Sequence, residues 1–158
     1  MSLIERLQNT QDAQYWPGKI PMNYIYTAGR AGDEFFKRLR DKGSFIGARC
    51  EKCDTVYMPP RIFCESCFER IEGKWVKLKN RGHVHTFTIC HETFDEKPQK
   101  PSVVAFIMFD GADGGLFHRV DVDPDEVYIG MPVEAVLLPA NKRKGGILDI
   151  KCFKPRKK

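Results

Sequence analysis

No apolar run in the 158-residue sequence approaches the roughly 20 residues needed to cross a bilayer. The opening residues, Met1-Ser2-Leu3-Ile4-Glu5-Arg6, carry an early acid and lack the apolar core of a signal peptide. Also missing are a glycine-rich phosphate loop, a Ser-His-Asp set and a cysteine placed beside an activating base. An independent hydrolase or synthase is therefore the reading with the least support. What remains is an ordinary globular composition, 42% hydrophobic and 30% charged. A chain of this length buries one modest core, or two small ones if a metal supplements the smaller.

Cysteine is the exception to this plainness. Four of the six cysteines form Cys50-x-x-Cys53 and Cys64-x-x-Cys67, separated by ten residues. Two residues between paired cysteines let both thiolates reach one ion from a tight turn, and two such turns complete a tetrahedral shell for Zn²⁺. Four thiolates leave no open position, so the ion is expected to be structural and not catalytic. Two disulfides or four unrelated thiols are the competing readings, and the double spacing favours the metal. The segment from Asp54 to Phe63 is expected to be a short β excursion and return, which makes residues 44–73 a zinc ribbon. Cys90 and Cys152, in apolar strand-like contexts, read as buried free thiols. Reduced thiols, a zinc site and the missing export signal point to the cytoplasm.

Along the chain, Ser2-Leu3-Ile4-Glu5 fits a capping box for a first helix, which Tyr15-Trp16-Pro17-Gly18 ends. Ile20 to Gly29 reads as an extended aromatic arm. A second helix is expected from Glu34 to Lys42, capped by Asp33, buried through Phe35, Phe36 and Leu39, and stopped by Gly43. These pieces form a helical N-terminal arm over residues 1–43. Beyond the ribbon the pattern becomes that of strands: Gly82–His91, Ser102–Phe109, Leu116–Val120, Pro132–Leu138 and Gly146–Phe153. Five strands with no long helix fit a small closed barrel over residues 74–158. The spacing suits an OB-fold, with an SH3-like barrel or a β-sandwich as alternatives. The fold class is thus mostly β: arm, ribbon, and five-stranded barrel with a basic C-terminal tail.

Charge is uneven around a net +5. From Lys142 to Lys158 basic residues dominate, while Asp95, Glu96, Asp110, Asp113, Asp121, Asp123 and Asp125 make the preceding region acidic. The basic end could meet phosphates or an acidic protein face, or simply be solvated. His83, His85 and His91 fall at odd positions of one strand and are expected to share a face. His83 and His91 stand too far apart for one ion at about 3.3 Å per residue, so polar packing or an interface is preferred to catalysis.

The ordered set Tyr26-Thr27-Ala28-Gly29, Phe35-Phe36, Cys50-x-x-Cys53, Pro59-Pro60-Arg61, Cys64-x-x-Cys67, Trp75, Gly82-x-Val84-x-Thr86-Phe87-Thr88, Pro101 and Ile129-Gly130-Met131-Pro132-Val133 resembles one family. Its members join a rubredoxin-like zinc ribbon to an OB-fold, were long classed as a domain of unknown function, and are associated with acyl-CoA thiolases and hydroxymethylglutaryl-CoA synthase. The resemblance covers roughly residues 20–154. It implies a non-catalytic accessory subunit of a thiolase-superfamily enzyme, serving β-ketoacyl-CoA thiolysis or mevalonate-type condensation. A thiolase-fold enzyme in a hetero-oligomer is the implied partner, and a CoA ester the shared ligand. Lys142, Arg143 and Lys144, between the last two strands, are the first candidates for the phosphates of CoA, and Arg61 the second; a solvated basic hairpin is the bland alternative. Trp16, Tyr24 and Tyr26 are candidates for docking to the partner, or else pack back on the chain's own domains. The rival reading is a single-stranded nucleic-acid-binding module, with Phe87, Phe94 and Phe117 as stacking platforms. The acidic stretch from Asp110 to Glu126 opposes it.

Overall fold

The computed structural model describes residues 27–91 and 100–156. The expected first helix, Trp16, Tyr24, Tyr26 and Phe94 lie outside them. One helix, α1 (Gly29–Lys42), opens the described chain. It starts earlier than expected, at Gly29, and its N-cap residue Ala28 offers no side-chain cap. Asp33 consequently sits inside the helix, paired at 2.7 Å with Lys37 one turn on. Ala31, Phe35 and Leu39 recur every fourth residue and form its buried stripe. The helix stops where expected: Gly43 takes φ 58°, and its N–H reaches the Leu39 carbonyl at 3.0 Å.

Three strands follow in a small antiparallel sheet: β1 (Phe45–Cys50) lies between β2 (Thr55–Tyr57) and β3 (Trp75–Leu78). The excursion after the first knuckle is thus a single strand. The return begins only at the segment's last residue, through an isolated bridge from Phe63 to Arg70, and is completed beyond it by β3. β3 lies past residue 73, yet it completes the ribbon's sheet. Its four residues carry too short a pattern to stand out in the sequence.

The remaining strands are β4 (Arg81–Cys90), β5 (Ser102–Phe109), β6 (Gly115–Val120), β7 (Pro132–Leu137) and β8 (Ile150–Pro155). They close in the order β4-β5-β6-β8-β7, with β7 back on β4 and β6 meeting β8 in parallel at Val120 and Phe153. That is the OB-fold order. β5 alternates half-buried and buried residues along its length, so Val103, Ala105, Ile107 and Phe109 fill the barrel.

Two sequence expectations fail in the barrel. The register of β4 against β5 slips between Val84 and Thr86, leaving His85 as the bulged residue. Val84 is buried before the bulge and Phe87 packs on the core after it. His83, His85 and His91 therefore do not share a face, because one extra residue reverses the alternation. The expected strand from Gly146 also begins late. Ile147–Asp149 is a single 3-10 turn, because the Asp149 carboxylate accepts the backbone N–H groups of Lys144, Gly145 and Gly146 at 2.8, 2.8 and 3.4 Å. Those bonds bend the chain before the barrel's last strand begins.

Ribbon and barrel share one core. Phe35, Phe45, Phe109 and Phe153 pack in succession, tilted or edge-on, with ring centroids 6.2, 4.9 and 6.0 Å apart, from helix through ribbon into barrel. Asp113, in the β5–β6 turn, accepts the Val56 N–H and donates its own N–H to the Val56 carbonyl, both at 2.8 Å. Beside it Gly114 passes so close to Met58 that any Cβ there would collide with the Met58 carbonyl. The β5–β6 turn thus clasps the strand that leaves the first knuckle.

Candidate metal centre and flanking surfaces

The Cys50 and Cys53 knuckle follows directly from β1, and the Cys64 and Cys67 knuckle faces it across Tyr57 and Ile71. Each knuckle ends on a left-handed residue, Asp54 at φ 51° and Phe68 at φ 58°. For a bulky side chain such as Phe68 that conformation costs about 1–2 kcal/mol. The turn is held by the Phe68 N–H on the Cys64 carbonyl at 3.0 Å and the Cys64 N–H on the Glu69 carbonyl at 2.9 Å.

All four Sγ atoms lie within 4.8 Å of one another, and none is in a disulfide. Cys50 to Cys67 is 3.6 Å and Cys53 to Cys64 is 3.8 Å. Four sulfurs placed about 2.3 Å from one ion would stand about 3.8 Å apart, so these cysteines are positioned to bind a metal ion. Their protonation is split. The Tyr57 hydroxyl, 3.2 Å from Cys64 Sγ, and then the Cys67 backbone amide hold the Cys64 thiol down to about 6. The neighbouring Cys67 sulfur, then burial, push Cys53 up to about 12, and burial raises Cys50. Four crowded sulfurs of which one favours the anion are a set that a divalent cation relieves.

The other candidate residues are less open than their sequence implied. The Arg61 guanidinium pairs with Glu65 and lies 5.4 Å from the Tyr57 ring centre, so both its charge and its face are engaged. Arg143 is drawn inward: its Nε donates to the Leu138 carbonyl at 2.7 Å, and its guanidinium occupies the space a side chain on Gly43 would need. It therefore braces the C-terminal end of α1. Lys142 and Lys144 are exposed and form no ion pair among the described residues. Asp149 fixes the fold of this loop, so it is no loose hairpin. Neither Asp149 nor Tyr57 was identified from sequence, since no spacing rule relates them to the groups they hold.

Large apolar side chains on the surface include Phe63, Phe68, Phe117, Tyr128, Ile129 and Leu148. Phe117 packs at 4.9 Å on Phe106, on the outward side of the barrel. Among the described residues no helix is long and apolar enough to cross a membrane.

Ribbon, converging sulfurs and strand order define a zinc-ribbon and OB-fold protein. The rubredoxin-like zinc ribbon domain of ChsH2 matches residues 39–72, and the C-terminal OB-fold domain of ChsH2 matches residues 75–138. A DUF35 domain-containing scaffold protein of Methanocaldococcus jannaschii is 36% identical over 102 residues, covering 64% of this chain and 72% of its own. The chain belongs to the DUF35 family. A DUF35-family protein of unknown function from Sulfolobus solfataricus superposes with a TM-score of 0.61 at 27% identity, over 81% of this chain and 87% of the other. The Ltp2-ChsH2(DUF35) aldolase superposes at 0.57 and 23% identity, over 80% of this chain and 95% of that one, a likeness of fold.

Proposed function

We propose that the chain is a non-catalytic accessory subunit that binds a thiolase-superfamily enzyme and helps hold or pass its CoA ester. The single observation that carries the reading is the closed four-sulfur site in a ribbon fused to the barrel through one core. Cys50, Cys53, Cys64 and Cys67 would hold Zn²⁺, and with all four positions taken the ion supplies cohesion and no reactive site. Membership of a family whose curated relatives are named scaffold proteins supports the accessory role. So does the fold shared with a ChsH2 chain that assembles into an aldolase. Exposed Phe117, Tyr128, Ile129 and Leu148 suit contact with a partner; Trp16, Tyr24 and Tyr26, outside the described residues, are docking candidates on residue type alone. Lys142 and Lys144 are the groups free to meet CoA phosphates, with Arg143 and Arg61 contributing only if their present contacts open. The setting is reducing and cytoplasmic, where four thiolates persist.

The test begins with tagged full chain captured from native lysate at moderate salt, its retained proteins identified by mass spectrometry. A thiolase-fold enzyme in fixed stoichiometry is expected. The purified pair should then bind a CoA ester saturably, several-fold more weakly in Lys142→Ala/Lys144→Ala. The nucleic-acid reading rests on exposed Phe117, whose ring packs at a tilt on Phe106. Retention of single-stranded nucleic acid alone, with affinity falling steeply as salt rises, would put that reading first.

A further inference from the structure

We infer that Tyr57 is a positioning residue for the metal site, its hydroxyl donating a hydrogen bond that holds Cys64 as the bound thiolate. The inference rests on the metal assignment proposed above. Tyr57 lies on β2, outside both knuckles, yet its hydroxyl reaches across to Cys64 Sγ at 3.2 Å. The same oxygen accepts the Glu65 backbone N–H at 3.2 Å. With that N–H pointed at its lone pair, the hydroxyl hydrogen is free to turn toward the sulfur. A phenol so placed donates to a thiolate in a charge-assisted bond.

The ring cannot easily leave this pose. Tyr57 pairs with Ala48 across the ribbon's sheet, and the Arg61 guanidinium covers its face while Glu65 holds Arg61 from the other side. Glu65 thus contributes twice, by its backbone N–H to the hydroxyl and by its carboxylate to the arginine over the ring. Hydrogen bonds to metal-bound ligands set both their orientation and their charge, and losing one typically costs 10- to 100-fold in metal affinity. The Tyr57 bond falls on one sulfur of four. Its removal should weaken that ligand specifically.

Full-length zinc-loaded protein and Tyr57→Phe, which keeps the ring beneath Arg61, would be titrated against a chromophoric chelator. They would then be alkylated with iodoacetamide, and modified cysteines mapped by mass. The expected result is at least a 10-fold loss of zinc affinity with Cys64 modified first, and a shifted thiolate-to-metal absorption band in the cobalt-substituted variant. Thr88→Val, which removes an exposed hydroxyl on β4, should change none of these. Unchanged affinity, or weakened affinity with all four cysteines alkylated alike and an unmoved cobalt band, would overturn the inference, the latter leaving Tyr57 a merely structural prop for Glu65. A native chain that takes up no zinc would overturn the metal assignment and this inference together.

Discussion

Ribbon and barrel are held by different means. Inside and against the barrel, Val84, Val103, Ile107, Phe109, Val120, Val133, Ile150 and Phe153 are all essentially fully buried. Each such side chain contributes about 1.5–3 kcal/mol on burial. Around the four sulfurs, the fully buried cluster among the described residues is Ala48, Cys50, Cys64 and Ile71, with Tyr57 and Trp75 packed half-buried against it. Two of those four are candidate ligands and one is alanine, which leaves Ile71 as the one large aliphatic group in that cluster among the described residues. Burial alone cannot order a region of that size against its chain entropy. The lesson lies in β1: Phe45 and Ile46 belong to the large core, while Ala48 and Cys50 belong to the small one. One strand carries both solutions end to end.

Removing the metal is the largest perturbation that separates them. Chelation should abolish hydrogen-exchange protection around residues 48–72, while β4 to β8 remain protected. Cys50→Ser or Cys64→Ser should reproduce that pattern without chelator, with zinc lost and partner retention abolished. Val56 and Met58 tie the region to the barrel, but among the described residues the two knuckles have little buried apolar surface of their own, so structural zinc is expected to dominate their cohesion. Simultaneous loss of protection throughout the barrel would show that the two regions form one cooperative unit, and the contrast drawn above would fail.

The shared aromatic column sharpens the contrast from the other side. Phe109 belongs to β5 and touches Phe45 of β1 at 4.9 Å and Phe153 of β8 at 6.0 Å. Phe109→Ala should cost about 3–5 kcal/mol in urea unfolding of the zinc-loaded protein. Combined with Phe45→Ala, the loss should fall short of the sum by more than about 0.5 kcal/mol, because the two rings share a contact. Strict additivity would mean that ribbon and barrel are neighbours without energetic coupling.

The difference between the regions also explains what the sequence revealed. The knuckles were legible because two thiolates on one ion demand a fixed spacing, and the barrel strands because alternation over six to ten residues is a long signal. Gly43 was legible as a helix stop because a left-handed residue there favours glycine. The histidine face was misread since a bulge adds one residue without altering composition, and every position beyond it changes sides. The start of β8 was misplaced for a related reason. Ile147 and Leu148 look like strand residues, and only the three-dimensional approach of the Asp149 carboxylate to three amides turns them into a bend. Tyr57 on Cys64 and Arg143 on α1 are likewise contacts that chain folding creates between residues with no sequence rule to join them.

Asp149 offers the finest test, since it perturbs the barrel without touching the sulfurs. Burial raises the pKa of this 3%-exposed carboxyl, but the amides of Lys144, Gly145 and Gly146, with Arg143 nearby, more than offset that and hold it below its ordinary value. A folded-state pKa below the unfolded one means that ionised Asp149 stabilises the fold above about pH 4. That contribution should disappear as pH falls through the depressed native value. Asp149→Asn keeps one acceptor oxygen and loses the charge, so it should cost about 1–3 kcal/mol at pH 7 and flatten the acid limb of barrel stability. Zinc release at low pH would otherwise obscure the limb, so the measurement belongs on β7 and β8 amides, in zinc-free native and variant chains, between pH 2.5 and 6. If both proteins lose protection along the same pH curve, Asp149 does not secure the last strand, and the bend before β8 owes its shape to packing alone.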